Sequence, residues 1–241
     1  MDKSEITRKN AYTILKAFAK EYKKQLGKTP IEIIIVGGGS ILLNYEFRPA
    51  TTDFDVDYPN AANLHDVISR IAESLNLPYD WMNKDFKKTA SYSPHLSQYS
   101  KHYCDFNNHT VEFRTINGEY LIAMKMLSMR EYRNDMSDII GVLLSSVEEE
   151  TPLTYDQIDT ALHNLYDEEK INALDADLVS RIRGLTTLSL TDLQQLYEET
   201  KEVETAVKQE LIKINEDYEN VLNEDNIAKI TRDVKRKLGK E

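Results

Sequence analysis

Ile31-Glu32-Ile33-Ile34-Ile35-Val36-Gly37-Gly38-Gly39-Ser40, followed by Arg48-Pro49-Ala50-Thr51-Thr52-Asp53-Phe54-Asp55-Val56-Asp57, carries the reading of the fold. The first six residues form a β-branched run set between turn residues, the pattern of a buried strand. Three glycines then let the backbone turn and leave it open to a ligand that a side chain would obstruct. Ser40 caps a short helix running through Ile41, Leu42, Leu43 and Tyr45. From Asp53 to Tyr58 charged and apolar residues alternate, as on a half-buried strand. Asp53 and Asp55 therefore project from one face, and Asp57 continues that face farther along.

Outward from this centre the pattern is helix, strand, glycine turn, helix, strand, helix, strand, helix. Ile6, Ala11, Ile14, Leu15, Phe18, Ala19, Tyr22 and Leu26 predict an amphipathic helix over 4–26, closed by Gly27 and Pro30. Its outer face is basic, with Lys16, Lys20, Lys23 and Lys24. Asn63 opens another helix with Leu64, Val67, Ile68, Ile71, Leu75 and Leu77 on its inner side, and residues 78–109 read as a variable hairpin or loop. Thr110–Ile116 is a strand closed by Asn117-Gly118; Glu119–Arg133 and Asp135–Leu144 are helices, the latter capped by Asn134. Glu148-Glu149-Glu150-Thr151-Pro152 marks a boundary. Beyond it strand signals cease: Thr154 and Gln157 form a capping box for a helix to Leu165, and further helices cover 175–183, 191 to about 222, and 226 onward. The expectation is an α/β (α+β) domain over 1–148 and an all-helical region over 149–241.

Composition narrows the function classes. The 241 residues are 41% hydrophobic and 29% charged, an ordinary globular balance. The start carries no apolar run typical of a signal peptide, and no stretch approaches the roughly 18 apolar residues of a membrane span. One cysteine, Cys104, makes no internal disulfide, which suits a reducing cytoplasm. Five histidines and that cysteine give little material for zinc, so a hard cation held by carboxylates is the better expectation. A net charge of −11 disfavours indiscriminate binding of long nucleic acid. The charge is uneven, however: Lys and Arg outnumber Asp and Glu 9 to 5 over residues 1–50, against 3 to 10 over 151–200. The last helix, with Lys229, Arg232, Lys235, Arg236, Lys237 and Lys240, offers a basic surface; cations there also complement a helix C-terminus.

Asp53 and Asp55 are the chemistry-bearing pair. Two carboxylates this close repel each other unless a cation lies between them, the arrangement that phosphoryl transfer uses to hold a triphosphate. The backbone N–H groups after Gly37-Gly38-Gly39, with the Ser40 hydroxyl, suit phosphate oxygens; a tight strand-to-helix turn equally favours glycine. No Gly-Lys-Ser/Thr follows, so this is not a P-loop, and the third glycine of a dinucleotide fingerprint is missing.

Strand, Gly-Gly-Ser, helix and then Asp-x-Asp on the next strand resemble the signature of the nucleotidyltransferase superfamily. The interval from Gly38 to Arg48 and Asp53-Phe54-Asp55 is similar to the branch containing AbiEii-type toxin nucleotidyltransferases and related uncharacterised bacterial proteins. Gly118–Arg130, with Lys125, followed by Asn134-Asp135 and Asp138, resembles that branch's helical motif; the two matches together span about residues 30–145. The resemblance implies that Gly38, Gly39 and Ser40 hold nucleotide phosphates and that Asp53 and Asp55 bind Mg²⁺. It further implies that Lys125 reaches a phosphate and that Asp135 is the later motif acid. Lys125, if it faces inward from an apolar helix, needs a partner, and Asp135 and Asp138 also suit a helix start. Superfamily members often carry a third carboxylate on a later strand; Glu112 is the candidate here and Asp105 the fallback. Glu119 serves as a helix cap.

The activity so implied is Mg²⁺-dependent attack of an acceptor hydroxyl on the α-phosphate of a nucleoside triphosphate. A tRNA or protein would be the acceptor, in a bacterial toxin or defence setting with an antitoxin as partner. Transfer to a small molecule such as an aminoglycoside would suit the acidic surface. A catalytically silent fold acting as a binding module is the third reading, and the position of Glu112 discriminates it. The aromatic residues Tyr79, Trp81, Phe86, Tyr92, Tyr99 and Tyr103 would serve either as satellite core or for base stacking, with Lys84, Lys87 and Lys88 among them.

Overall fold

A computed structural model describes residues 3–59, 63–130, 132–218, 221–223 and 226–239; Met1, Asp2 and Lys240 lie outside the described residues. In chain order the elements are β1 (Ile6–Thr7), α1 (Arg8–Leu26), β2 (Ile31–Val36), α2 (Gly37–Asn44), β3 (Ala50–Thr51), β4 (Phe54–Asp57) and α3 (His65–Leu75). Then follow β5 (Met82–Asn83), a 3-10 turn at Asp85–Lys88, α4 (Leu96–Tyr99), β6 (Ser100–Phe106) and β7 (Val111–Ile116). The rest is helical: α5 (Gly118–Ser128), α6 (Asp135–Glu148), α7 (Tyr155–Leu165), α8 (Glu168–Asn172), α9 (Ala176–Leu185), α10 (Leu190–Asp217) and α11 (Ile227–Lys237). The expected class, a mixed α/β core with a largely helical C-terminal region, is what forms.

The β-branched run is the middle strand of a five-stranded sheet of order β5-β4-β2-β7-β6. β2 runs antiparallel to β4, with Val36 opposite Asp55, and parallel to β7, with Ile34 opposite Arg114. A second, two-stranded sheet pairs Ile6 with Thr51, tying the start of α1 to the segment that leads into β4.

Burial on both faces explains why β2 is apolar at every position except Glu32, which is partly exposed. Ile31, Ile33 and Ile35 face α1 and α3 together with Phe54, Val56, Val111 and Phe113. On this side Phe18 packs edge-on against both Trp81 and Phe113. Ile34 and Val36 face the other way, into a cluster built by α5, α6, α7, α9 and α10. Because Phe54 and Val56 point into the first layer, Asp53, Asp55 and Asp57 emerge on the second, beside the helices. That second cluster is continuous from Ile34 to Tyr197 and runs across the 148/149 boundary.

Several boundaries differ from expectation, each for a local reason. α2 begins at Gly37, three residues before Ser40, because Gly37 takes a left-handed φ of 56° that starts the turn at once. β6 occupies the end of the 78–109 stretch, which reads as a hairpin or loop: it is an edge strand paired antiparallel with β7, and its register shifts between His102 and Cys104, which breaks the alternation a strand reading needs. α5 stops at Ser128, where the Arg130 N–H turns to the Asp135 side chain, rather than continuing to Arg133. The Thr154–Gln157 capping box forms as read, with Gln157 N–H donating to Thr154 Oγ1 and Thr154 N–H to Gln157 Oε1. Asn63 Oδ1 accepts from His65 N–H at 3.3 Å, but the cap position of α3 falls one residue later, on Leu64.

Candidate active site

Sheet register brings the glycine turn and the acidic strand together. Val36 lies opposite Asp55, so the turn leaving β2 starts level with that carboxylate. A Cβ on Gly37 would sit 3.3 Å from Asp55 Oδ2, and the positive φ there also favours glycine. At Gly38 a Cβ would lie 2.8 Å from Arg48 Nη2 and 2.9 Å from its Cζ, so the guanidinium covers this residue directly. Gly39 is buried against Phe54 and Ile35. The first four N–H groups of a helix have no acceptor within it, and those of α2 begin at Gly37.

Asp53 and Asp55 are both partly exposed. Asp53 Oδ2 accepts from Asn83 Nδ2 at 3.0 Å and Oδ1 from the Thr52 hydroxyl at 3.2 Å. Burial pushes the Asp55 carboxyl up to about 6; the Asp53 charge adds to the shift, while the charges of Arg130 and Arg133 oppose it. Among the described residues neither carboxylate takes part in a salt bridge. Their neighbours do: Asp57 is paired with Lys87, and Asp135 and Asp138 with basic side chains described below.

Lys125 points inward, with a side chain 10% exposed, and has partners already. Its Nζ lies 2.8 Å from Asp135 Oδ1 and 2.8 Å from Asp138 Oδ2. Burial opposes its charge, but Asp138 and Asp135 outweigh that and hold the ammonium above its ordinary pKa. Burial likewise opposes ionisation of Asp135; the Lys125 and Arg130 charges and hydrogen bonds prevail and keep its carboxyl well below the usual range. Asp135 also accepts from Arg130 N–H at 2.9 Å. Asp138 reaches out to Arg48, Nη1 to Oδ2 at 2.7 Å. A chain of charges thus runs Arg130–Asp135–Lys125–Asp138–Arg48 and ends over Gly38. It holds three cations against two carboxylates, and Arg130 at its other end acts on Asp55.

The structure gives two expected site residues other positions. The Ser40 hydroxyl is fully buried: it accepts from Ile116 N–H at 3.1 Å and from Asn44 Nδ2 at 3.2 Å, so it ties α2 to the end of β7 and does not face a phosphate. Glu112 lies opposite Glu32, four residues before Val36 along the sheet, and is therefore not brought to Asp53 and Asp55. Burial raises its carboxyl, but His102 and Arg114 more than compensate and lower it overall; Arg114 Nη1 sits 2.9 Å from Oε1. Asp105, directly across from Glu112, sits at that same end with His109 at 3.1 Å. Extending the register puts Ile116, buried and apolar, level with Asp55. Among the described residues no group of three or more His, Cys, Asp or Glu side chains could hold a metal ion. Two carboxylates remain as protein donors. That set suits Mg²⁺, which binds through one or two carboxylates and completes its octahedron with water and substrate phosphate.

Sequence reasoning missed Asn83, Arg133 and the Asp138–Arg48 pair. The sequence marks Arg48 only by its spacing from Gly38, and nothing in the run 78–109 distinguishes Asn83. It also missed Glu204 of α10, whose carboxylate accepts from both the backbone N–H of Ser137, at 3.1 Å, and its hydroxyl. Asn134 precedes α6 without a side-chain cap bond, so Glu204 does what Asn134 was expected to do.

Residues 13–177 match a family described as "Nucleotidyltransferase of unknown function (DUF6036)". The chain belongs to this family. The match begins within α1, contains the glycine turn, Asp53, Asp55, Lys125 and Asp135, and ends at the start of α9. It names the nucleotidyltransferases at large, and the likeness to the AbiEii-type branch stays a resemblance of motifs. No curated protein and no solved structure matches the chain. No described helix is long and apolar enough to cross a membrane.

Proposed function

We propose that this nucleotidyltransferase-family chain moves a nucleoside monophosphate from a nucleoside triphosphate to an acceptor hydroxyl, using a divalent cation held by Asp53 and Asp55. The observation that carries this reading is the pair itself: two adjacent carboxylates that make no salt bridge among the described residues, beside a glycine turn, in a site where the surrounding acids are paired with cations. A bound Mg²⁺ would relieve their repulsion and neutralise charge developing on the transferred phosphoryl group. The Gly37, Gly38 and Gly39 N–H groups and the guanidinium of Arg48 would bind phosphate oxygens, and Arg130 and Arg133 would orient the anionic tail. Asp138 holds Arg48 and Asp135 holds Arg130 from behind, and Lys125, between these two carboxylates, contributes a positive charge rather than a direct contact.

The acceptor is proposed to be a tRNA end or a protein hydroxyl in the cytoplasm, with an antitoxin as regulatory partner. A small polycationic acceptor such as an aminoglycoside is the alternative that the net charge of −11 favours. A second reading, nucleotide binding without transfer, is favoured by one observation: Ile116 stands level with Asp55, where a third carboxylate would serve as base. The test is label transfer from each α-labelled nucleoside triphosphate with Mg²⁺ to total bacterial RNA, protein and aminoglycosides, beside Asp55→Ala. Label in one fraction that falls at least ~100-fold in the variant supports transfer. Nucleotide binding with no label in any fraction replaces it with the binding reading.

A further inference from the structure

Asn83 belongs to β5, a strand of two residues paired with β4 so that Asn83 lies opposite Asp55. Its amide has one orientation available. Oδ1 accepts from the Asp85 N–H at 2.8 Å, which turns Nδ2 the other way. There Nδ2 donates to Asp53 Oδ2 at 3.0 Å and to the Asp80 carbonyl at 3.1 Å. A flipped amide would set its oxygen against the Asp53 carboxylate and its NH₂ against an N–H, both repulsive. Asp53 precedes β4 and lacks the strand's ladder to steady it. Its repulsion with Asp55 would otherwise turn the carboxylate outward, and the remaining bond, from the exposed Thr52 hydroxyl at 3.2 Å, is a weak restraint.

We propose that Asn83 is a positioning residue for the cation site: its fixed amide holds Asp53 by Oδ2 and so keeps this carboxylate beside Asp55, where the two share the ion. This inference rests on the proposed function, since it requires that the pair bind a divalent cation. Hydrogen-bonded partners behind a ligating carboxylate typically set metal affinity by ~10–100-fold. Asn83 does this from the sheet edge, through an amide locked by the turn at Asp85.

The experiment is Mn²⁺ binding to the full chain, followed by the loss of the free-ion electron paramagnetic resonance signal, with thermal melting in parallel. Asn83→Ser keeps a hydroxyl that accepts from the Asp85 N–H and so preserves the turn, but it is too short to reach Asp53. The expected result for Asn83→Ser is Mn²⁺ affinity lowered ~10–100-fold with an unchanged melting temperature, and for Asp53→Ala the loss of binding altogether. Wild-type affinity in Asn83→Ser, while Asp53→Ala still abolishes binding, overturns the role of Asn83 and leaves the cation site standing. A melting temperature that falls in step with affinity also overturns it, because Asn83 would then only support the fold. No Mn²⁺ binding by the unmodified chain overturns the cation reading itself and this inference with it.

Discussion

Asp55 combines a half-buried position, a like charge next to it and no salt bridge among the described residues, and this fixes the sign of its effect on stability. A carboxyl raised from 3.8 to about 6 holds its proton more tightly in the folded chain than in the unfolded one. Stability contributed by this group is therefore present below about pH 4 and falls through pH 6, above which the folded state bears the full cost of the ionised form. Asp55→Asn should raise Tm at about pH 7.5 by a stabilisation on the order of 2 kcal/mol, with no gain near pH 4. Calorimetric melting at the two pH values, without divalent cation, checks it; an equal gain at both would show that the charge is not the cause. Added Mg²⁺ should stabilise the unmodified chain and leave the variant unchanged.

Among the elements, β7 shows how register overrides residue type. Glu112 is the acid of this strand, and the resemblance to the superfamily made it the candidate for a third carboxylate. Pairing with β2 sets it opposite Glu32, however, and the neighbouring edge strand supplies His102 as its partner. Glu112→Gln should leave Mn²⁺ affinity and label transfer within about 2-fold of the unmodified chain, at a stability cost of ~1 kcal/mol or less typical of exposed pairs. A loss of transfer comparable to that of Asp55→Ala would return Glu112 to the catalytic set. α2 carries the same lesson. Ser40 has the right chemistry for phosphate, but the end of β7 lies against its hydroxyl and takes it first.

For the molecule as a whole, the question is where the α/β core ends. The sequence places a boundary at Glu148-Glu149-Glu150-Thr151-Pro152, and strands do stop before it. Ile122, Ile140, Leu143 and Leu144 nevertheless share one buried cluster with Ile158, Leu162, Ile182 and Tyr197, and Glu204 caps α6 from α10. Cutting the chain after 148 would expose this apolar face, and each large aliphatic side chain so exposed costs roughly 1.5–3 kcal/mol. The expected outcome is that residues 1–148 aggregate, whereas residues 1–217 melt in a single cooperative transition. A soluble 1–148 fragment with the full-length chain's circular dichroism in that region would show two independent units.

Periodicity and residue type were enough to set the strand at Ile31–Val36, the glycine turn, the Asp53/Asp55 pair and most of the helices, because each is dictated by a few neighbouring side chains. The same signals left Lys125 free to face inward or outward, and required a partner only for the inward position. Only the tertiary structure decided which partner: Asp135 and Asp138 reach Lys125 first and pass the charge on to Arg48 and Arg130. It alone also gave β6, whose bulge hides its alternation, and Asn83, whose part in the site is set by strand pairing. Local pattern reports which face a residue occupies. How far along that face it stands from Asp55 depends on register between strands distant in sequence, and that is a property of packing.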